Sequence, residues 1–315
     1  MRCSLKNKTS VDLSVHLGKL KLKNPVMPSS GTFGYGKEFA DYVDLNDLGA
    51  IIVKGTTFHP RIGNPECRYV EINGCAYLTC VGLQNVGVER LVQEKLPFLR
   101  QFETPVIVNV ACESIDEFVK VTEILNKTEG VSAIEANLCC PNVEGGGASF
   151  AADPEVTFRV LKGIRSVTDL PILAKLLSTV TDITTLGKAC EEAGADALCP
   201  IFSPMGMAID IHTRRSKLGK NIQGALGGPA LKPVAVRLVR QAAQTVKLPV
   251  IGCGGITCAE DALEFFIAGA TAVEIGAQNL IDPDVTIRTI EGIRRYLSDH
   301  GIKSIREIIG TFVPS

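Results

Sequence analysis

Residues 133–140 read AIEANLCC and residues 171–177 read PILAKLL, two short runs that are apolar over most of their length. Each run is followed, after a break, by a stretch with helical periodicity, Glu155–Ser166 and Asp182–Ala193 respectively. Strands that are apolar on both faces are typical of parallel sheets covered by helices. The two units therefore predict a repeating arrangement of strand followed by helix.

Six further apolar runs extend this pattern along the whole chain. In chain order they are NPVMPSSG (24–31), AIIVKGTT (50–57), PVIVNVA (105–111), ALCPIF (197–202), PVIGCGG (249–255) and AVEIGAQ (272–278). Helical periodicity also predicts helices at Ile115–Leu125, Pro233–Val246 and Ala259–Ala268. Eight strand–helix units favour an α/β fold of the closed (β/α)8 TIM-barrel type over the alternative, a doubly wound open sheet. No boundary divides the chain, so we expect residues 1–315 to form a single barrel domain.

Segments outside the repeat have expected positions in such a barrel. Residues 12–23 alternate apolar and polar around Gly18, which predicts an N-terminal β-hairpin that caps the bottom of the barrel. Long irregular stretches at 57–88, 141–153 and 203–230 follow the second, fourth and sixth strands. All three are expected at the C-terminal ends of the strands, where barrels build their active sites.

Charge and cysteine usage exclude several classes of function. Lys and Arg number 33 against 34 Asp and Glu, a net charge of -1, which gives no electrostatic footprint for nucleic acid or an anionic membrane. We find no apolar stretch long enough to span a membrane and no signal peptide. The eleven Cys residues include no CxxC pair, so we expect reduced thiols, no metal and a cytoplasmic location.

Two lysines stand inside strand runs that are otherwise apolar, Lys54 in IIVKGTT and Lys175 in ILAKLL. A buried ammonium group must meet an anion or line a polar cavity, because an unpaired buried charge is costly. The alternative is a structural salt bridge to a core carboxylate such as Glu135 or Glu274.

Small residues end the last two strands, Gly254-Gly255 after the seventh and Gly276-Ala277 after the eighth. Barrels commonly bind phosphate at this place, and small residues let backbone N–H groups approach the phosphate oxygens. The two pairs together predict a phosphate site.

The segment Asn137-Leu138-Cys139-Cys140-Pro141-Asn142 places a thiol and two amides at the end of the fourth strand. A thiol there can act as nucleophile, metal ligand or general acid/base. No His lies within a few residues, which disfavours a Cys–His hydrolase. Cys139 should point away from Cys140, since side chains alternate along a strand, and we expect it to pack in the core.

Nine segments resemble, in order, the motifs of dihydroorotate dehydrogenases, over about residues 11–313. They are NPVMPSSGTFGYG, VKGTTFHPRIGNP, GLQNVGVE, NVA, NLCCPN, AKLLSTVTDI, GGPALKPVA, GCGGI and EIGAQ. The resemblance is closest to the soluble branch whose catalytic subunit pairs with an iron–sulfur flavoprotein and passes electrons to NAD. It implies an FMN-dependent dehydrogenase of pyrimidine biosynthesis, built as a homodimer, that oxidises dihydroorotate at a CH–CH bond.

The resemblance also implies roles for individual residues. Cys140 would be the catalytic base that takes a proton from one ring carbon, and Lys175 would stabilise the charge of the reduced flavin. The residues implied to hold FMN are Ser30, Lys54, Gly55, Asn109, Asn137, Lys175, Ile201, Gly228, Gly254, Gly255, Gly276 and Ala277. Those implied to contact the substrate are Lys54, Thr79, Cys80, Val81, Gly82, Leu83, Asn137, Asn142, Phe202 and Ser203.

Two of the four amides that usually clamp the substrate in this family are replaced here, one by Thr79 and one by Phe202. Phe offers neither the donor nor the acceptor of an amide. Three hypotheses stay open at this point. The first is a dihydroorotate dehydrogenase with a divergent pocket, and the second is a paralogue with the same chemistry on another small cyclic or unsaturated substrate. The third, disfavoured by the presence of Cys140, Lys54 and Lys175, is a flavin-binding subunit with little activity of its own.

Overall fold

The computed structural model describes residues 11–139, 150–177, 182–201 and 203–314. Among these residues, eight short parallel strands match the eight apolar runs of the sequence. They are β1 Val26–Pro28, β2 Ile51–Thr56, β3 Val106–Val110, β4 Ala133–Asn137, β5 Ile172–Lys175, β6 Ala197–Cys199, β7 Ile251–Cys253 and β8 Ala272–Ile275. Most of their side chains are buried, as expected of strands that are covered on both faces.

The eight strands follow one another in a ring. Strands β2 to β6 form one ladder in chain order, and β7, β8 and β1 form another. A parallel bridge between Leu198 and Val250 joins β6 to the start of β7. The N–H of Gly49 donates to the carbonyl of Val26 at 3.0 Å and ties the approach to β2 to β1. The predicted (β/α)8 barrel is therefore confirmed, and the open sheet, which would leave two free edges, is wrong.

Helices cover the outside of this ring. They are α1, made of the consecutive turns Gly87–Arg90, Leu91–Lys95 and Leu96–Leu99, α2 Ile115–Asn126, α3 Pro154–Arg165, α4 Ile183–Ala193, α5 Lys232–Thr245, α6 Ala259–Ala268 and α7 Val285–Asp299. Side chains of Ser114, Asp153 and Asp182 cap α2, α3 and α4 at their N-termini. Gly194 ends α4 in the left-handed conformation, as the AGAD sequence predicts. After β1, two short 3-10 turns, Lys37–Phe39 and Leu45–Asp47, stand in place of a helix.

The N-terminal hairpin lies at the end of the barrel where the strands begin. Its strands Val15–Leu17 and Leu20–Leu22 pair antiparallel around Gly18, whose φ is +58°. A Cβ at Gly18 would stand 2.7 Å from the Cβ of Asp196, the residue before β6. The hairpin thus packs against the N-terminal end of β6, which confirms the predicted bottom cap.

Two of the long segments after the strands are not irregular, contrary to expectation. Residues 57–88 and 203–230 together form a four-stranded antiparallel sheet above the strand ends, which we call the cover sheet. Its strands, in spatial order, are Met205–Gly206, Gly224–Gly227, Ala76–Thr79 and Tyr69–Ile72. These strands are only two to four residues long, and the two segments that form the cover sheet are far apart in the chain. No local periodicity of the sequence therefore predicts the sheet. The third segment, 141–153, lies mostly outside the described residues.

Candidate functional site

A cavity of about 410 Å³ opens at the C-terminal ends of the barrel strands, beneath the cover sheet. This volume falls within the range of small-molecule sites, roughly 300–1,000 Å³. Every described residue implied to hold FMN lines it: Ser30, Lys54, Gly55, Asn109, Asn137, Lys175, Ile201, Gly228, Gly254, Gly255, Gly276 and Ala277. So do the described residues implied to contact the substrate: Thr79, Cys80, Val81, Gly82, Leu83 and Ser203. Cys140, Asn142 and Phe202 lie outside the described residues, and the roles of all these residues stay predictions.

The floor of the cavity holds a buried ion cluster of Lys175, Glu135 and Glu274. The Lys175 ammonium lies 3.0 Å from Glu135 Oε1 and also donates to Glu274 Oε2. Burial acts to lower the pKa of Lys175, but the charges of Glu135 and Glu274 outweigh it and raise the pKa well above its usual value. Lys175 therefore forms the salt bridge to core carboxylates that the alternative interpretation predicted. The same side chain also lines the cavity.

Two buried amides extend the cluster towards the cavity. The Nδ2 group of Asn137 donates to Asn109 Oδ1 at 3.3 Å, and Asn109 Nδ2 donates to Glu135 Oε2. Asn109 lies opposite Glu135, and Asn137 opposite Lys175, in the parallel ladder of β3, β4 and β5. The strand register therefore holds all four side chains in a fixed hydrogen-bonded row.

Lys54 differs from Lys175 because no carboxylate pairs with it among the described residues. It lies in β2 at a shift of register between Val53 and Thr56, and such irregularities re-aim side chains. Its ammonium stands 5.9 Å from the centre of the Tyr35 ring. Burial lowers the pKa of this half-buried group. The charge of Glu38 acts in the opposite direction without forming an ion pair, and an anionic ligand in the cavity would add a counter-charge.

Gly254 and Gly255 form a cradle next to the start of α5. Their φ angles are +110° and +76°, which favour glycine. A Cβ at Gly255 would stand 2.7 Å from the backbone nitrogen of Lys232. The N–H groups of Gly255 and Ala277 have no backbone acceptor in the described chain. Unpaired N–H groups beside small residues fit the oxygens of a phosphate.

The chain matches the protein family described as "Dihydroorotate dehydrogenase" over residues 12–297. The chain belongs to the dihydroorotate dehydrogenase family. Three relatives carry the name "Dihydroorotate dehydrogenase B (NAD(+)), catalytic subunit". The protein from Geotalea uraniireducens (strain Rf4) is 50% identical over 302 residues, covering 96% of this chain and 98% of its own. That from Thermoanaerobacter sp. (strain X514) is 49% identical, covering 96% and 99%. That from Geobacter sulfurreducens (strain ATCC 51573 / DSM 12127 / PCA) is 48% identical, covering 95% and 97%.

The cover side of the cavity contains three amides that were not predicted as site residues in this member of the dihydroorotate dehydrogenase family. Asn64, Gln84 and Gln223 all line the cavity. Asn64 donates to the carbonyl of Cys80 at 2.9 Å, and Gln84 accepts from Arg68 at 2.9 Å. Gln223, which precedes the cover strand Gly224–Gly227, makes no hydrogen bond through its amide within the described residues. Gln84 lies inside a quoted family motif, whereas no sequence signal marks Gln223.

Cys253 is a further lining residue that the sequence analysis assigned only to an apolar run. Its Sγ lies 3.8 Å from the hydroxyl of Ser29. A hydrogen bond from Cys199 lowers the pKa of this thiol to about 6, helped by the charge of Lys175 and by Ser29 and opposed by burial. Cys253, the last residue of β7, therefore lies on the floor of the cavity beside the ion cluster.

The expectation that Cys139 packs in the core is wrong. Cys139 is half-buried, its N–H donates to Asn137 Oδ1 at 3.3 Å, and its Sγ donates to the carbonyl of Lys175 at 3.7 Å. The reason is that β4 ends at Asn137, so Cys139 lies in a turn where the alternation of a strand no longer applies.

A larger groove of about 720 Å³ lies on the outer surface between α5, α6 and α7. Its arginines are balanced by equally many carboxylates: Arg237, Arg240 and Arg295 against Glu260, Glu264 and Asp299. No residue of the eight barrel strands lines this groove. Within the described residues, no cluster of His, Cys, Asp and Glu is placed to hold a metal, and no helix has the length and hydrophobicity to cross a membrane.

Proposed function

We propose that this protein binds FMN in the cavity at the strand ends and oxidises dihydroorotate to orotate, a step of pyrimidine biosynthesis. The observation that carries the proposal is that the described residues implied for the cofactor line one cavity, in a chain that belongs to the dihydroorotate dehydrogenase family. The relatives named above are dihydroorotate dehydrogenases, and they match nearly the whole chain.

The residues present fit a flavin mononucleotide. The Gly254-Gly255 cradle and the free N–H of Ala277 would hold its phosphate, since a side chain at Gly255 has no room. Asn109, Asn137 and Lys175 would face its ring from the floor. FMN supplies the two-electron acceptor that amino-acid side chains lack. The chain would orient the ring, and Lys175 would provide a positive charge near it.

The chemistry that we assign to Cys140 is general base catalysis. Its thiolate would take the proton from one ring carbon of the substrate, and bound FMN would supply the acceptor for the hydride that the neighbouring carbon loses, so that a C=C bond forms in the substrate. A positioned base contributes about 10²–10⁴-fold to such a rate. Lys54, which has no ion pair in the described chain, would meet the carboxylate of the substrate.

The comparisons do not support the second hypothesis, a paralogue with another substrate. The relatives that are about half identical carry the name of dihydroorotate dehydrogenase. Thr79, which lines the cavity, then counts as a variation within the pocket.

The test is anaerobic mixing of the purified flavoprotein with dihydroorotate while the flavin absorbance near 450 nm, the usual band of an oxidised flavin, is followed. We expect fast bleaching in the wild type. In Cys140→Ser we expect bleaching slower by about 10²–10⁴-fold near neutral pH, because a hydroxyl is a poorer base. Flavin content and reduction by dithionite serve as controls and should not change. Flavin that dithionite reduces and dihydroorotate does not would refute the proposed substrate.

We further propose that two copies assemble with an iron–sulfur flavoprotein that carries electrons to NAD, in the cytoplasm. The names of the relatives specify a catalytic subunit and NAD(+), which supports a further subunit and NAD as the acceptor. The chain alone should then be reduced by dihydroorotate and yet fail to reduce NAD. Steady NAD reduction by the isolated chain would contradict the need for a partner.

A further inference from the structure

The ion cluster contains one cation and two acids, drawn from three strands. Lys175 ends β5, Glu135 lies in β4 and Glu274 lies in β8. The side chains of both glutamates are 0% exposed and that of Lys175 is 4% exposed. With both acids ionised, the cluster would carry a net negative charge in the core, which is strongly unfavourable.

The two carboxyl groups have different partners. Both oxygens of Glu135 receive hydrogen bonds, Oε1 from Lys175 and Oε2 from Asn109. In Glu274, Oε2 receives bonds from Lys175 and from the hydroxyl of Ser29, the latter at 2.9 Å. Glu274 Oε1 is buried and meets no donor in the described chain. The Lys175 ammonium contacts both carboxyl groups.

A buried carboxyl oxygen that receives no hydrogen bond fits a carboxyl group that carries the proton itself, because an ionised carboxylate there would lack compensation. The electrostatics agree with this geometry. Burial and the charge of Glu135 raise the pKa of Glu274 well above its usual range, although Lys175 opposes them. Burial also acts to raise the pKa of Glu135, but the charge of Lys175 and the bonds from its neighbours, Glu274 among them, hold it below the usual value.

We propose that Glu274 is a positioning residue kept as a neutral carboxylic acid, which donates to Glu135 and holds the Lys175 ammonium in place while the cluster stays at zero net charge. This inference rests on the proposed function, because its consequence concerns the flavin. A reduced flavin that gains negative charge is stabilised by Lys175 and opposed by every anion nearby. A neutral Glu274 thus favours reduction of the flavin by the substrate, and an ionised one would hinder it.

Two thiols also face the cluster, Cys199 from β6 and Cys253 from β7. A hydrogen bond with Cys253 and burial raise the pKa of Cys199, so that thiol stays neutral. Cys253, whose pKa is lowered to about 6, competes for the role of second anion. Each measurement below is therefore repeated in a Cys253→Ser background, which removes the thiolate.

The experiment compares two isosteric variants of the flavin-loaded protein, Glu135→Gln and Glu274→Gln, by the two-electron reduction potential at pH 7. Glu135→Gln removes a negative charge and should raise the potential, shifting the ratio of reduced to oxidised flavin by about tenfold or more, or about 30 mV. Glu274→Gln replaces a neutral acid by a neutral amide and should shift that ratio less than about threefold, or about 14 mV. An equal rise in both variants would overturn the proposal, because it would show that Glu274 is an anion.

A second measurement needs no flavin and compares the unfolding temperatures of wild type and Glu274→Gln from pH 4.5 to pH 8. A folded-state pKa above that of the unfolded chain gives stability that is present at low pH and lost as pH rises. The wild type should therefore lose stability relative to Glu274→Gln with increasing pH. The opposite trend would overturn the proposal. If the protein held no flavin, the proposed function would fail while this comparison still decided the state of Glu274.

Discussion

The floor of the cavity and its cover are built in opposite ways. The floor consists of side chains at the ends of adjacent parallel strands, such as Asn109, Glu135 and Lys175, locked together by the register of one ladder. The cover joins two distant segments through strands of two to four residues, and one of its lining residues, Gln223, is exposed. A floor fixed by many neighbours should respond sharply to substitution, whereas a cover that relies on few contacts should respond weakly. The following predictions test this difference.

Gly255→Ala should give the largest effect on flavin binding. The added Cβ would stand 2.7 Å from the nitrogen of Lys232 and 3.0 Å from the oxygen of Gly228, both backbone atoms that cannot turn away. We expect flavin retained per polypeptide after desalting to fall by at least about tenfold, a free-energy loss of about 1.4 kcal/mol. The control is Gly301→Ala, which shares a positive φ, +67°, and has no atom within 4 Å of its Cβ. Equal losses of flavin in both variants would show that the effect comes from backbone strain alone.

Lys175→Met should destabilise the fold by about 3–5 kcal/mol near neutral pH, because it leaves a buried carboxylate without its cation. In the wild type Glu135 has a lowered pKa, so its contribution is present above the ordinary value near 4.5 and lost as pH falls through the folded pKa. In the variant, Glu135 and Glu274 have no cation beside them and must be neutral in the folded protein. The free energy of unfolding therefore decreases as pH rises. The deficit measured by urea unfolding should therefore be larger at pH 8 than at pH 4.5.

Lys232→Met is the matched control for that prediction. Lys232 also pairs with two carboxylates, Asp261 at 2.7 Å and Glu264 at 2.7 Å, but its side chain is 26% exposed. Partly exposed pairs contribute about 1 kcal/mol or less. If Lys175→Met lost no more stability than Lys232→Met, or if its loss of stability did not change with pH, burial of the cluster would matter less than its geometry suggests.

The difference between floor and cover also explains what the sequence predicts. The predicted helices end within one residue of those observed, since apolar periodicity and capping residues such as Ser114 and Asp182 are local signals. The floor residues could be predicted because they lie at the ends of barrel strands and within the family motifs. The cover sheet is missed because its pairing joins Thr79 to Ala225, far apart in the chain. Cys139 is mispredicted because the end of β4 depends on tertiary context.

Thr79→Val is expected to act on the substrate alone. Thr79 lines the cavity, and if its hydroxyl binds the substrate, Val would remove one neutral hydrogen bond, which contributes about 0.5–1.5 kcal/mol. The KM for dihydroorotate should rise by roughly 2–10-fold, with flavin content unchanged. Thr79→Ser keeps the hydroxyl and should restore most of the affinity. Loss of flavin in Thr79→Val would instead show that the cover supports the cofactor as well.

Gln223→Ala should give the smallest effect, and it tests whether the cover takes part in recognition at all. Gln223 lines the cavity, yet its exposed amide is solvated before any ligand arrives, so a new hydrogen bond replaces one to water. The net gain lies at the low end for a hydrogen bond, about 0.5 kcal/mol, or roughly a twofold rise in KM when the amide is removed. Gln241→Ala, on the outer face of α5, is the control and should leave KM unchanged. A tenfold or larger rise in KM for Gln223→Ala would mean that ligand binding expels water from this side of the cavity. The amide lost at position 202 would then be replaced from the cover, and the contrast between a rigid floor and a weakly coupled cover would hold only for the ligand-free protein.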